Sequence, residues 1–174
     1  EIMEQPESIM NSLRGRMVLE RGTAKLGGLD SVREKLEKIE KINIIACGTS
    51  YYAGLAGKYL IEELSGISVN ADLASEFRYR KQAIGKNEAF IFISQSGETA
   101  DSLAALREVK ERGALTLGIV NAVGSSIARE TDAGIYNHAG PEIGVASTKA
   151  FTSQIAVLIL LAVFLGRQRN LSFK

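Results

Sequence analysis

Five short apolar runs, separated by segments with the spacing of amphipathic helices, restrict the fold of this 174-residue chain more than any other feature. They occupy residues 42–47, 67–73, 89–94, 115–120 and 133–137. Runs that are apolar almost throughout, rather than at alternate positions, belong to strands buried on both faces. The second is the weakest, because Asn70 and Asp72 interrupt it. Strands that alternate with helices build a parallel sheet, and right-handed crossovers wind helices onto both faces. The expected fold is therefore α/β: a doubly wound, five-stranded parallel sheet in the order 2-1-3-4-5. In that order the first and third strands are neighbours at the point where the winding reverses. Open α/β sheets bind ligands beside that point, at the carboxyl ends of the strands.

The intervening segments predict the helices. Residues 1–28 form a lead-in, with a helix over 4–21 that tolerates Pro6 in its first turn and presents Ile9, Met10, Leu13 and Met17 on one face. Gly27-Gly28 closes it, and residues 29–174 form the domain proper. Asp30 or Ser31 caps a helix to about Ile39, with Val32, Leu36 and Ile39 on one side. The helix after the first strand runs to about Ser65 and buries Tyr52, Leu55, Ala56, Tyr59 and Leu60. Its Gly54 and Gly57 cost about 1 kcal/mol each against alanine and are expected where the helix packs closely on the sheet. Shorter helices follow at 74–82, 99–112 and 126–130, and the last long one begins at Ser147. Within that last helix, the apolar run 155–165 falls well short of the roughly 18 residues of a membrane span. It is expected to be buried in the core or against another subunit.

Composition narrows the function. The net charge of +1 gives no electrostatic footprint for nucleic acid or an anionic membrane. The single Cys47 cannot close an internal disulfide, which fits a reducing, cytoplasmic setting. No signal peptide is visible in Glu1-Ile2-Met3-Glu4, and a start on Glu1 fits a piece of a longer chain. There is no G-x-x-x-x-G-K-[ST] phosphate loop, no G-x-G-x-x-G after the first strand, and no zinc-ligand spacing. A nucleoside triphosphate, a dinucleotide, a metal and any other cofactor are therefore not expected.

Two turns carry the chemistry. Ser94-Gln95-Ser96-Gly97-Glu98-Thr99-Ala100-Asp101 leaves the third strand and opens a helix. Cys47-Gly48-Thr49-Ser50 does the same after the first strand. A helix start offers unpaired N–H groups and about half a unit of positive charge, which suits a phosphoryl group. The competing reading is that Ser and Thr merely cap these helices. The sheet order favours the phosphoryl reading, because it brings both turns to one crevice. A third segment, Glu142-Ile143-Gly144-Val145-Ala146-Ser147, either closes that crevice or caps the final helix. Lys149 either faces an anion or points to water. Cys47 is expected as a small residue at a strand end rather than a nucleophile. His138 is expected as a loop residue, and Arg78-Tyr79-Arg80-Lys81 as a solvated or interface cluster.

Four motifs appear in order: Cys47 to Ser50, Ala74 to Arg80, Ser94 to Asp101 and Glu142 to Phe151. Together with the Glu4-Gln5-Pro6 lead-in they resemble the first sugar-isomerase (SIS) half of the glutamine–fructose-6-phosphate aminotransferases, over essentially the whole chain. That resemblance implies a hexose 6-phosphate ligand, fructose 6-phosphate or glucose 6-phosphate. It implies that Ser50, Ser94, Gln95, Ser96 and Thr99 hold the phosphoryl group, that Cys47, Gly48 and Thr49 line the crevice, and that Val145 and Ser147 contact the sugar. It further implies a homodimer, and parts not found here: a glutaminase domain, and a second SIS half and tail with the Glu, Lys and His of the acid–base chemistry. No catalytic residue is assigned within these residues, so the chain is expected to bind without turning over. The alternative is a non-catalytic SIS sugar-phosphate sensor or assembly module, which a DNA-binding segment beyond Lys174 would favour.

Overall fold

The computed structural model describes residues 1–81 and 83–169. Five parallel strands form the central sheet: β1 (Lys41–Ala46), β2 (Ser68–Leu73), β3 (Glu88–Ser94), β4 (Leu115–Val120) and β5 (Ala133–Tyr136). Their order is β2-β1-β3-β4-β5, the 2-1-3-4-5 arrangement expected from the sequence. Residues 42–45 of β1 and 89–93 of β3 are buried on both faces, which is why these strands read as continuous apolar runs. Alternate residues serve separate cores. Ile42, Ile44, Ala89, Ile91 and Ile93 pack on one face, and Ile45, Phe90 and Phe92 on the other.

The first core is covered by α1 (Gln5–Leu13), α2 (Arg33–Glu37), α3 (Gly48–Ser65) and α7 (Lys149–Arg169). The second lies under α4 (Ala74–Phe77), α5 (Ala100–Glu111) and α6 (Ser126–Glu130). By length and hydropathy α7 could cross a membrane, yet 72% of that window is buried inside the fold. It is a core helix, as the apolar run 155–165 implies.

Four local expectations are corrected. The lead-in helix stops at Leu13, because Arg14 turns extended and Gly15 takes φ +71°. Met17–Val18 then pairs antiparallel with Thr23–Ala24 instead of continuing a helix to Arg21. Neither Asp30 nor Ser31 caps a helix: a 3-10 segment spans Gly27–Val32, and α2 follows with Val32 as its uncapped start. Val32, Leu36 and Ile39 are nonetheless all buried. The helix expected over 74–82 ends at Phe77, and Gln82 lies outside the described residues.

The fourth correction concerns which face α3 buries. Tyr52 and Tyr59 are 62% and 68% exposed, while Ser50, Ala53, Gly54, Gly57 and Ile61 are buried. An added Cβ at Gly54 would lie 2.8 Å from Ile44 Cγ2, and one at Gly57 would lie 2.9 Å from both δ-carbons of Leu158. The helix is wedged between β1 and α7, so the face in contact is the one that lets the backbone come close. Size, not hydrophobicity, decides what that face holds.

Candidate functional site

The register of β1 and β3 builds the site. Ala46 pairs with Ile93, so Cys47 and Ser94 leave the sheet side by side. Each strand passes into a helix whose starting residue makes no side-chain cap: Cys47 for α3 and Thr99 for α5. The first-turn N–H groups of both helices are therefore not taken up by capping side chains. Gly48 has φ +55° with open space where a Cβ would project, and Gly97 has φ +65° in the turn before α5.

The hydroxyls of the 94–99 corner are organised among themselves. Ser94 Oγ accepts the Gly97 N–H at 3.0 Å and shares a 3.0 Å hydrogen bond with Thr99 Oγ1. Ser96 Oγ accepts the Glu98 N–H at 3.2 Å. Glu98 turns away and accepts the Ser126 N–H at 2.7 Å, the contact that mainly holds its carboxyl below the usual range. Ser50 is buried and accepts the Gln154 Nε2–H at 3.0 Å, leaving its own proton to donate.

These groups enclose a cavity of about 210 Å³ lined by Cys47, Ser50, Ile93, Ser94, Gln95, Ser96, Thr99, Glu142, Gly144, Val145 and Ser147. The structure thus brings Cys47, Ser50, the 94–99 corner, Val145 and Ser147 to one place. Gly48 and Thr49 do not line the cavity; they form the exposed first residues of α3 at its edge. Glu142, Gly144 and Ile93 line it without having been assigned. Glu142 and Gly144 stood in the fourth motif, but nothing local marked which of its residues would turn inward.

Neutral donors dominate the lining, and among the described residues no lysine or arginine contributes to it. An anion here would be held by hydroxyls, one amide side chain and helix N-termini rather than by a full positive charge. Lys149 faces neither the cavity nor water: it is 4% exposed and ion-paired to the Glu4 carboxylate. Arg78 and Arg80 are committed to Asp101 at 2.7 Å and Asp72 at 2.6 Å, in keeping with their non-ligand reading. His138 is exposed, has φ +57° and lines a larger neighbouring cleft of about 780 Å³, which shares Gln95 with the small cavity. Partial burial pushes its imidazole below the ordinary value. Among the described residues, no group of three or more His, Cys, Asp or Glu is placed to hold a metal ion.

Comparison with known proteins agrees with this geometry. A family model described as SIS domain matches residues 35–164. The chain is 55% identical over 172 residues to a glutamine–fructose-6-phosphate aminotransferase [isomerizing] from Chlorobaculum tepidum, covering 99% of this chain and 28% of that protein. It is 52% identical to the first such enzyme of Rattus norvegicus, covering 97% of this chain and 25% of that protein. The C-terminal domain of a glucosamine-fructose-6-phosphate aminotransferase from Francisella tularensis superposes with a TM-score of 0.89 at 40% identity, over 97% of this chain and 47% of that one. The chain therefore spans about a quarter of the length of the curated relatives it matches.

Proposed function

The chain belongs to the SIS domain family, and on that premise we propose that it is the sugar-phosphate-binding half of the isomerase part of a glutamine–fructose-6-phosphate aminotransferase. In this reading residues 1–28 are a lead-in to the domain of residues 29–174. The ligand is fructose 6-phosphate or glucose 6-phosphate. Ser50, Ser94, Gln95, Ser96 and Thr99 hold the phosphoryl group, Cys47, Gly48 and Thr49 border the crevice, and Val145 and Ser147 meet the sugar.

One observation carries the reading: two hydroxyl-bearing corners from adjacent strands converge on one cavity, beside two helix starts free of side-chain caps. Each donor has a partner worth making in a phosphoryl oxygen, and a charge-assisted hydrogen bond contributes about 1.5–3 kcal/mol. The cavity of about 210 Å³ is smaller than the usual range of roughly 300–1,000 Å³ for small-molecule sites. It suits the phosphoryl end and part of the chain of a hexose, with the remainder enclosed by segments of the longer relatives.

The whole enzyme, in this reading, works in the cytoplasm, moves the amide nitrogen of glutamine to the ketose and isomerises the product to an aldose, glucosamine 6-phosphate. Proton transfer between neighbouring sugar carbons needs a positioned base. The one carboxylate in the cavity wall among the described residues, Glu142, is already bonded to Ser147, Thr148 and Ala150. The chain therefore binds without turning over. Calorimetric titration with fructose 6-phosphate, glucose 6-phosphate and inorganic phosphate tests the binding; heat with none of the three would overturn it. Glucosamine 6-phosphate formed from ammonia and fructose 6-phosphate by the purified chain would overturn the inactivity.

The same reading makes the chain a homodimer. Tyr52 and Tyr59 stand exposed one above the other on α3, and Ile159 of α7 is 43% exposed beside Leu19 and Met17. Sedimentation at high concentration should show a dimer; a monomer throughout would count against it.

A further inference from the structure

The two walls of the cavity are built differently, and the wall of residues 142–147 has no apolar anchor. Ile143 is 89% exposed and Val145 is fully exposed. Two carboxylates shape this segment: that of Glu1 accepts the Ile143 and Gly144 N–H groups, and that of Glu142 holds the end next to α7. Glu142 Oε1 accepts the N–H groups of Thr148 at 2.9 Å and Ala150 at 3.2 Å, and its Oε2 accepts the Ser147 hydroxyl at 2.8 Å. The donors lie in and just before the first turn of α7, where N–H groups lack intrahelical partners and the helix favours negative charge. Glu142 thereby ties residues 142–150 into a closed loop, and Gly144, Val145 and Ser147 on that loop face the cavity.

The opposite wall does not draw on this tie. The hydroxyls of Ser94, Ser96 and Thr99 bond within residues 94–99, and the carbonyls of Gln95 and Gly97 accept the N–H groups of Asn121, Ala122 and Ile127. Losing the Glu142 contacts would free the Ser147 end of one wall and leave the other wall in place. With the first turn of α7 already complemented by Glu142, the donors left for a phosphoryl group are those of the α3 and α5 corners.

We propose that Glu142 is a positioning residue that holds the Gly144–Ser147 wall against the sugar and so sets the preference for a sugar phosphate over bare phosphate. The proposal rests on the function given above. A preorganised wall contributes affinity only for the part of the ligand that touches it. Phosphate bound in the hydroxyl corner should feel its loss much less than the attached sugar does.

The test is a pair of titrations, fructose 6-phosphate and inorganic phosphate, on the 174-residue chain and on its Glu142→Met variant, with thermal melting of both. Met offers no strong acceptor to the three donors, so the tie opens while the length and volume are nearly kept. The expected result is that the ratio of the two affinities shifts by about fivefold or more against the sugar phosphate. A merely structural role would weaken both ligands alike, and that outcome, or an unchanged ratio, overturns the positioning role. If Glu142→Met melts, Glu142→Asp keeps the charge at the helix start, shortens the reach, and should shift the ratio in the same direction. Failure of the parent chain to bind either ligand would instead overturn the function assigned to the site, and this role with it.

Discussion

The corner at residues 94–99 and the loop at 142–147 face each other across one cavity, and they owe their shapes to different physics. The corner's hydroxyls are bonded across two to five residues, and Gly97 takes the positive φ that the turn requires. Its backbone is docked on the next strand end, with Gln95 O accepting the Asn121 and Ala122 N–H groups and Gly97 O the Ile127 N–H. The loop is held by two carboxylates. Its own Glu142 grips the start of α7, and the Glu1 carboxylate, 142 residues away in sequence, accepts the Ile143 N–H at 2.6 Å and the Gly144 N–H at 3.1 Å. A wall docked on the strand ends suits an invariant group such as a phosphoryl. A wall held by carboxylate side chains can be repositioned without unfolding the sheet, which suits the variable end of a ligand.

The largest effect that would sharpen this contrast comes from matching glycines in the two walls. At Gly97 an added Cβ would sit 2.0 Å from Ser125 Oγ and 2.5 Å from Ser125 Cβ, with φ at +65°. Left-handed backbone strain of about 1–3 kcal/mol and crowding of about 1–3 kcal/mol should make Gly97→Ala cost at least about 2 kcal/mol in urea unfolding, and abolish phosphate binding. At Gly144 the nearest obstacle is Glu1 Oε2 at 2.6 Å, the free end of a flexible side chain. Gly144→Ala should stay within about 0.5 kcal/mol of the parent. Equal losses from the two substitutions would erase the distinction between the walls.

A smaller effect separates binding from folding inside the corner itself. Ser96 is exposed, and its hydroxyl accepts the Glu98 N–H at 3.2 Å. Ser96→Ala should leave the unfolding free energy nearly unchanged. It should weaken fructose 6-phosphate by about 1.5–3 kcal/mol, the value of a hydrogen bond to a charged group. Calorimetry showing unaltered affinity would mean that this hydroxyl serves the turn alone.

The same contrast explains what could be read from the sequence. Strand limits, sheet order and the hydroxyl corner were legible because their causes are local or periodic: apolar runs, a glycine at the turn, a helix pattern after it. The buried face of α3 was legible only in part. Gly54 packs on Ile44 of the sheet as expected, but Gly57 meets Leu158 of α7, and Tyr52 and Tyr59, expected inside, are exposed. The lead-in misled for a related reason, since Gly15 breaks a helical pattern that Met17 appeared to continue on paper. Glu142 and Lys149 were visible as residues but not as contacts. The Glu142 partners depend on the turn that residues 142–148 take into α7, and Lys149 meets Glu4 only because the lead-in packs against α7.

The smallest effect tests the outer hold on the loop by pH. Backbone hydrogen bonds from Ile143 and then Gly144 hold the Glu1 carboxyl below its ordinary value of 4.5. A carboxylate with a depressed folded value stabilises the contact above the unfolded value, and the contribution fades as pH falls through the folded one. The Ile143 and Gly144 amide resonances should therefore titrate with a midpoint below 4.5, with Glu1→Gln abolishing the step. The group is exposed to solvent, so added salt should weaken the contact and move the step back toward the ordinary value. The amide of Gly97, whose acceptor is a hydroxyl that does not titrate, should show no such step of its own. A midpoint at or above 4.5 for Ile143, or a parallel step at Gly97, would show that the loop is not held by Glu1 and that the two walls move as one.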